Sequence, residues 1–247
     1  MRHAGEEQRM YRQRAIRLLG LLLTLPFIAH AGETIPYPPG TKLGGAASYL
    51  GTLDHAPSPY FSHADVYNLG NTRSRVVLPH FRTYQQTTEY TCGPAAVVMA
   101  ADYRGVRLNE LEVARAAGST EEKGTSTAQL VAYLTAHGWN VRSSLSEPKR
   151  ASLQFLKREV SKGNPVLVEW VEWAGHWEVV IGYDEMGTPN QRGDDVLIVA
   201  DPYDTTDHLQ DGYGFVPADR FQSMWFDHDL LPDGQREKQW IILTARP

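Results

Sequence analysis

The sequence predicts an α+β fold in which a block of helices precedes an antiparallel sheet. Two observations support this prediction. Between residues 92 and 161, apolar residues recur at helical spacing and are bounded by capping residues and glycines. From residue 166 onward, the pattern changes to short β-branched runs bounded by Gly, Pro and Asp. Helices and strands in separate blocks are typical of an α+β fold rather than of alternating βαβ units.

Each predicted helix of the first block has a recognisable start or end. Gly105 closes the first helix, and Asn109 and Gly118 bound the second. Thr125 or Ser126 caps the third. The predicted helices span 93–103, 110–117, 126–138 and 152–161, and a short late helix spans 218–226. The predicted strands lie at 76–79, 166–168, 179–181, 196–199 and 240–243.

The composition is that of a globular protein rather than a disordered one, because 42% of the 247 residues are hydrophobic and 21% are charged. The formal net charge is −5. Such a chain lacks the basic surface on which nucleic-acid binding depends, so we expect no nucleic-acid partner. The composition does not indicate an oligomeric state.

The N-terminus is typical of a secretory signal peptide. A basic stretch with Arg9, Arg12, Arg14 and Arg17 precedes an apolar run of about 12 residues at 18–29. The sequence Ala29-His30-Ala31 then forms a small-residue cleavage pattern before Gly32. The run is too short to cross a hydrocarbon core of about 30 Å as a helix. We therefore expect residues 1–31 to be a signal peptide and the mature protein to be periplasmic or secreted, without membrane attachment after cleavage.

Residues 32–75 differ from the rest of the chain, because prolines and glycines interrupt any helical or strand period. We interpret this stretch as a Pro/Gly-rich leader or pro-segment. The sequence leaves open whether it wraps on the domain. Residues 76–247 are then the folded domain.

Cys92 is the single cysteine of the chain, so it has no internal disulfide partner. In an exported protein, an unpaired thiol is a candidate reactive group. It lies at the start of the first predicted helix, where the helix dipole and unpaired N–H groups favour a thiolate. Gly93, which follows it, is expected to let a substrate backbone approach closely. These features predict that Cys92 is a nucleophile.

His176 and Asp201 are predicted to be the base and the group that orients it. His176 opens an apolar strand, and Asp201 ends the next one, just before Pro202. In an antiparallel pair, the start of one strand lies beside the end of the next, so the two side chains become neighbours. An aspartate in that position fixes the imidazole tautomer and stabilises the imidazolium.

An acyl-transfer site also needs hydrogen-bond donors for the developing oxyanion. The backbone N–H of Cys92 supplies one donor. The side-chain amide of Gln85 or of Gln86 is available as a second.

Together, these residues resemble the pattern of the bacteriocin-processing (double-glycine leader) cysteine peptidases and their papain-like relatives. The pattern is Q-x5-C-G-P, then G-H before an apolar strand, then D-P after the next strand, and a similar late aromatic segment lies at 218–225. The resemblance covers about residues 76–245. It implies a papain-like fold with an N-terminal helical part packed on an antiparallel β-sheet, and it implies hydrolysis of peptide bonds.

The resemblance also implies a role for each site residue. The nucleophile, the base, the orienting residue and the oxyanion donor are, in that order, Cys92, His176, Asp201 and Gln86. Gln85 points to the other side of an extended segment and is expected to be dispensable. The implied substrate is a peptide or protein, with no cofactor. Because the histidines lack the spacing of zinc ligands, we expect no metal site.

Two other functions remain open from the sequence. With an amine or thiol acceptor in place of water, the same residues would form an acyltransferase of the transpeptidase or transglutaminase type. A papain-like domain can also serve as a catalytically silent binding or assembly module. Its aromatic surface would consist of Trp139, Trp170, Trp173 and Trp177.

We predict that the mature protein begins at Gly32, because signal peptidase cuts after the small residue that ends the A-x-A pattern. N-terminal sequencing of protein isolated from its native host measures this directly. A first residue of Met1 or Met10 would contradict cleavage and indicate an uncleaved N-terminus.

Overall fold

The computed structural model describes residues 33–50, 64–205 and 209–244. The predicted signal peptide at 1–31 lies outside these ranges, as does part of the predicted leader, residues 32 and 51–63. No helix in the described ranges is both long enough and apolar enough to span a membrane.

The helices lie where the sequence predicts them, and their caps explain why. The described residues form α1 (Cys92–Tyr103), α2 (Glu110–Ala117), α3 (Thr127–Ala136), α4 (Leu153–Ser161) and α5 (Ala218–Met224). Asn109 caps α2 through its side chain, which accepts a hydrogen bond from the N–H of Glu112. Ser126 and Gln129 form a reciprocal capping box at the start of α3.

Seven strands of the described residues form one antiparallel sheet. They are β1 (Arg75–Val77), β2 (Asn140–Ser143), β3 (Val166–Trp170), β4 (His176–Asp184), β5 (Val196–Ala200), β6 (Tyr213–Pro217) and β7 (Gln239–Thr244). The order across the sheet is β2-β7-β3-β4-β5-β6, and β1 pairs with the end of β4. The predicted α+β fold, with N-terminal helices packed on an antiparallel sheet, is therefore confirmed.

The two strands that the sequence pattern missed, β2 and β6, are the edges of this sheet. Edge strands have one hydrogen-bonding side free and tolerate polar residues, glycine and proline. β2 contains Asn140 and Arg142, and β6 contains Gly214 and ends at Pro217. Apart from β1, which pairs with β4 alone, the strands predicted from apolar runs have a neighbouring strand on each side in the described sheet.

The core lies between the sheet and the helices, with the central strand β4 buried from His176 to Tyr183. Helix α1 contacts β3 and β4, and α4 contacts β1, β3 and β4. Helix α1 is buried along most of its length, which fits its composition of Ala, Val and Met. This packing fixes the start of α1 over the start of β4, where Cys92 and His176 lie.

The described part of the predicted leader, residues 33–50, binds to the domain. The N–H of Ile35 donates to Thr83 O at 2.8 Å, and the N–H of Ala47 donates to Gln86 O at 3.0 Å. Ile35 and Ala47 are buried. This stretch therefore wraps on the segment that leads to α1, which is one of the two arrangements that the sequence leaves open.

Candidate active site

Cys92 is the first residue of α1 and is buried, with 8% of its surface exposed. The preceding residue, Thr91, makes no side-chain cap to the helix, and Pro94 has no N–H. The N–H of Ala95 donates to Thr91 O at 2.9 Å. The N–H groups of Cys92 and Gly93 thus remain at the open start of the helix, where they can face a developing negative charge.

Gly93 has a packing role that the sequence pattern does not reveal. A Cβ at this position would lie 3.2 Å from side-chain atoms of both Leu130 and Trp177. The residue is buried, and its small size allows the start of α1 to pack closely against Leu130 of α3 and Trp177 of β4.

The segment before Cys92 is held by a buried carboxylate that sequence reasoning missed. Glu110, in the first turn of α2, is 2% exposed. It accepts hydrogen bonds from the Tyr84 hydroxyl at 3.1 Å, the Thr87 N–H at 2.9 Å and the Thr87 hydroxyl at 2.7 Å. The Thr91 hydroxyl donates to it as well. Four donors from residues 84–91 therefore fix the approach to Cys92.

The structure brings His176 and Asp201 together, as the strand pattern predicts. The Nε2 of His176 lies 2.7 Å from Oδ1 of Asp201, and both side chains are buried. Antiparallel pairing of β4 with β5, from Val179 opposite Ala200, brings the start of β4 next to the end of β5, where these two residues lie. The same Oδ1 accepts the N–H of Tyr203 at 2.7 Å, which fixes the carboxylate.

The environment of His176 favours its protonated form. Burial alone lowers the pKa of His176, but the charge and the hydrogen bond of Asp201 raise it, and the neighbouring Cys92 thiol raises it further. The net result is a pKa well above the ordinary value for histidine. The imidazole is thus arranged to hold a proton taken from the thiol.

Gln85 and Gln86 are both buried, so neither is a solvated loop amide. Gln85 lies against the Asp201 loop: its Nε2 donates to Asp201 O at 2.8 Å, and its Oε1 accepts the N–H of Asp204 at 3.1 Å. Gln86 donates one N–H of its amide to Thr88 O at 2.7 Å, which leaves the second N–H for another acceptor. The assignment of Gln86 as oxyanion donor stays a prediction. Gln85, expected to be dispensable, has the contacts of a positioning residue.

A third acidic residue, Glu178, lies beside the pair. Ligand atoms of His176, Glu178 and Asp201 lie within 4.8 Å of one another, close enough to converge on one ion. Burial, followed by the charge of Asp201, raises the pKa of Glu178 well above its ordinary value.

Three of the four tryptophans suggested for an aromatic surface are buried. Trp139, Trp170 and Trp177 are each at most 4% exposed and belong to the core. Trp177 also donates its indole N–H to Thr125 O at 2.9 Å. The side chain of Trp173 lies outside the described part of the structure.

Residues 79–226 match the Peptidase_C39 like family. An uncharacterized protein of Methanothermobacter marburgensis is 34% identical over 76 residues, which are 30% of this chain and 53% of that protein. The chain thus spans about half the length of the curated relative that it matches.

Solved structures with a similar fold are distant in sequence. A putative C39-like peptidase from Bacillus anthracis has a TM-score of 0.50 at 13% identity, over 70% of this chain and 99% of that one. The peptidase domain of Streptococcus ComA, a bi-functional ABC transporter involved in a quorum sensing pathway, has a TM-score of 0.48 at 20% identity, over 67% and 99%. The Bacillus structure supports the α+β architecture described above.

We predict that Glu110→Ala lowers the free energy of unfolding by about 3 kcal/mol or more, because it leaves buried donors of Tyr84, Thr87 and Thr91 without their acceptor. The exposed residue Glu112, two residues further along α2, provides the control. Glu112→Ala should change stability by no more than about 0.5 kcal/mol. Urea denaturation of both variants measures this, and equal small losses would contradict an anchoring role for Glu110.

Proposed function

Because this chain belongs to the Peptidase_C39 like family, we propose that it is a cysteine peptidase that hydrolyses peptide bonds at Cys92. The observation that supports the proposal best is the position of one imidazole. His176 Nε2 lies 2.7 Å from Oδ1 of Asp201. The hydrogen bond and the charge of Cys92 raise the pKa of the same imidazole. A nucleophile, a base and an orienting carboxylate in one site form the arrangement that acyl transfer requires.

The two ring nitrogens of His176 have different partners in the proposed mechanism. Nε2 faces Asp201, so Nδ1 is the nitrogen left for the thiol. The Cys92 sulfur attacks the substrate carbonyl carbon and forms a C–S bond, while the thiol proton goes to Nδ1. When the tetrahedral intermediate collapses, the C–N bond breaks and His176 gives this proton to the leaving amine. Water, deprotonated by His176, then attacks the acyl group, and the C–S bond breaks.

Two kinds of donor are available for the oxyanion. The N–H groups at the start of α1 belong to Cys92 and Gly93 and point along the helix axis, where the dipole favours negative charge. The second N–H of the Gln86 amide is the proposed side-chain donor. Glu110 holds the segment at 84–91, which contains Gln86 and leads to Cys92. Both kinds of donor are therefore in place before the substrate binds.

The proposed substrate is a peptide or protein, and the proposed location is the periplasm or the exterior, reached through the signal peptide at 1–31. The acyltransferase alternative shares every step up to the acyl enzyme and differs in the acceptor. Product analysis by mass spectrometry with and without an added amine separates the two activities.

We predict that Cys92→Ala abolishes hydrolysis and that His176→Ala is about as damaging, because a coupled nucleophile and base act as one unit. Asp201→Asn should cost less, since the amide still bonds the ring but favours the wrong tautomer. The exposed His137 is the control, and His137→Ala should keep wild-type turnover. Mass spectrometry of a digested peptide library measures the activities. Wild-type turnover by the Cys92→Ala protein would contradict the assignment of Cys92 as the nucleophile.

We predict that Gln86→Ala lowers kcat by roughly 10²–10³, the cost of removing one oxyanion donor. Alkylation of Cys92 by iodoacetamide should stay normal, because the thiol and its base are untouched. Gln85→Ala should lower activity through displacement of the Asp201 loop, whereas the exposed Gln222→Ala should have no effect. A Gln86→Ala enzyme as active as the Gln222→Ala control would show that backbone N–H groups form the oxyanion hole alone.

A further inference from the structure

A small cavity lies beside Cys92, and two buried carboxyl groups line it. They belong to Glu169 in β3 and to Asp227 in the loop after α5. Gly175 and Trp177 line the cavity as well, on either side of His176. Its volume is about 20 Å³, enough for about one group the size of a water molecule.

The carboxyl groups offer three oxygens that no described residue satisfies. Glu169 is 2% exposed and Asp227 is 1% exposed. Both oxygens of Glu169 and Oδ2 of Asp227 are buried without a hydrogen-bond donor in the described structure. Buried polar atoms are nearly always paired, and an unpaired carboxylate oxygen is costly. These oxygens therefore indicate a missing donor.

The Asp227 carboxyl is held in its orientation by the backbone. Its Oδ1 accepts the N–H groups of Asp229 at 2.8 Å and Leu230 at 2.9 Å. Its Oδ2 faces Gly175, where a Cβ would lie only 2.5 Å away. Any side chain at Gly175 would collide with the Asp227 carboxyl. The absence of one leaves room for Oδ2 at the cavity wall.

The two carboxyl groups lie next to each other and interact. Burial, followed by the charge and hydrogen bond of Asp227, raises the pKa of Glu169 to about 11. An ammonium group in the cavity would lie close to both carboxyl groups and would favour their ionised forms.

We propose that this cavity binds an ammonium group of the substrate, either a lysine side chain or an α-amino group, next to the bond that Cys92 attacks. This proposal rests on the proposed peptidase function and adds a substrate class to it. An ammonium group has three donors, which match the three unpaired oxygens. A guanidinium has five donors and is larger, so the cavity selects lysine over arginine.

One alternative occupant belongs to the chain itself. Lys123 lies at the rim of the cavity and is exposed. If its own ammonium group filled the cavity, a substrate amine would be excluded. The Lys123→Gln variant distinguishes these two occupants.

The test uses the single thiol and needs no peptidase activity. Cys92 is treated with 2-aminoethyl methanethiosulfonate and with its neutral isostere, propyl methanethiosulfonate. Each reagent transfers its alkylthio group to the Cys92 sulfur and releases methanesulfinate. The ratio of the two rate constants reports the preference for an ammonium group. We expect this ratio to fall by about tenfold or more in Glu169→Gln and Asp227→Asn, which lose a charged hydrogen bond.

Glu122→Gln is the matched control, because it removes one negative charge from an exposed residue next to Lys123. It should leave the ratio at the wild-type value. An unchanged ratio in both Glu169→Gln and Asp227→Asn would overturn the proposal. The proposal would also be overturned if the wild-type protein showed no preference for the ammonium reagent and the Lys123→Gln variant gained one. That result would indicate that the Lys123 ammonium group fills the cavity.

A second measurement keeps the test valid where a carboxyl variant fails to fold. In wild-type protein, methylammonium should slow the reaction of Cys92 with propyl methanethiosulfonate, whereas tetramethylammonium, which lacks N–H donors, should not. Equal effects of the two cations would contradict the proposal that the cavity binds an ammonium group.

Peptide cleavage then separates the two sources of the amine. Peptides that contain lysine, or norleucine in its place, are compared with free and with acetylated N-termini. A higher kcat/KM for lysine assigns the cavity to a side chain, and a higher value for the free N-terminus assigns it to an α-amine. Cleavage without either preference contradicts the proposal while leaving the peptidase function intact. An ammonium preference in the thiol assay without any cleavage would contradict the peptidase function alone.

Discussion

The site depends on the hydrogen bonds that hold residues 84–91 in place. On one side, the buried Glu110 carboxylate accepts four donors from this segment. On the other, Gln85 bonds the Asp201 loop, and the Gln86 N–H donates to Pro202 O at 2.8 Å. The loop that ends at Cys92 and the loop that begins at Asp201 are thereby linked. The position of Cys92 relative to the His176–Asp201 pair is thus fixed by buried hydrogen bonds rather than by the two loops independently.

A second constraint is the concentration of acidic groups in the buried interior of the domain. Asp201, Glu169, Glu178 and Asp227 are all buried within the same part of the fold. Burial raises the pKa of Glu169 to about 11 and raises the pKa of Glu178 well above its ordinary value. Asp201 faces the imidazole and raises its pKa. Burial and neighbouring charges therefore shift the pKa values of several groups beside Cys92, a pattern that is typical of functional sites.

The sequence predicts the helices, the buried strands and the neighbouring positions of His176 and Asp201, because these follow from local periodicity, caps and strand ends. The edge strands β2 and β6 escape prediction because they lack apolar runs. Glu110 gives no local signal either, since its partners lie 19 to 26 residues away and its charge is typical of an exposed helix start. The same holds for Glu169 and Asp227, which meet only when β3 and the loop after α5 come together.

The central claim is that Cys92 attacks a carbonyl while the start of α1 and Gln86 receive the oxyanion. A crystal structure of the protein soaked with a peptide aldehyde tests it most directly, because the aldehyde forms a hemithioacetal that resembles the tetrahedral intermediate. We expect a bond between the Cys92 sulfur and the aldehyde carbon, with the new oxygen within hydrogen-bond distance of the Cys92 N–H and the Gln86 amide. An aldehyde bound away from Cys92, or an oxygen that faces neither donor, would contradict the account.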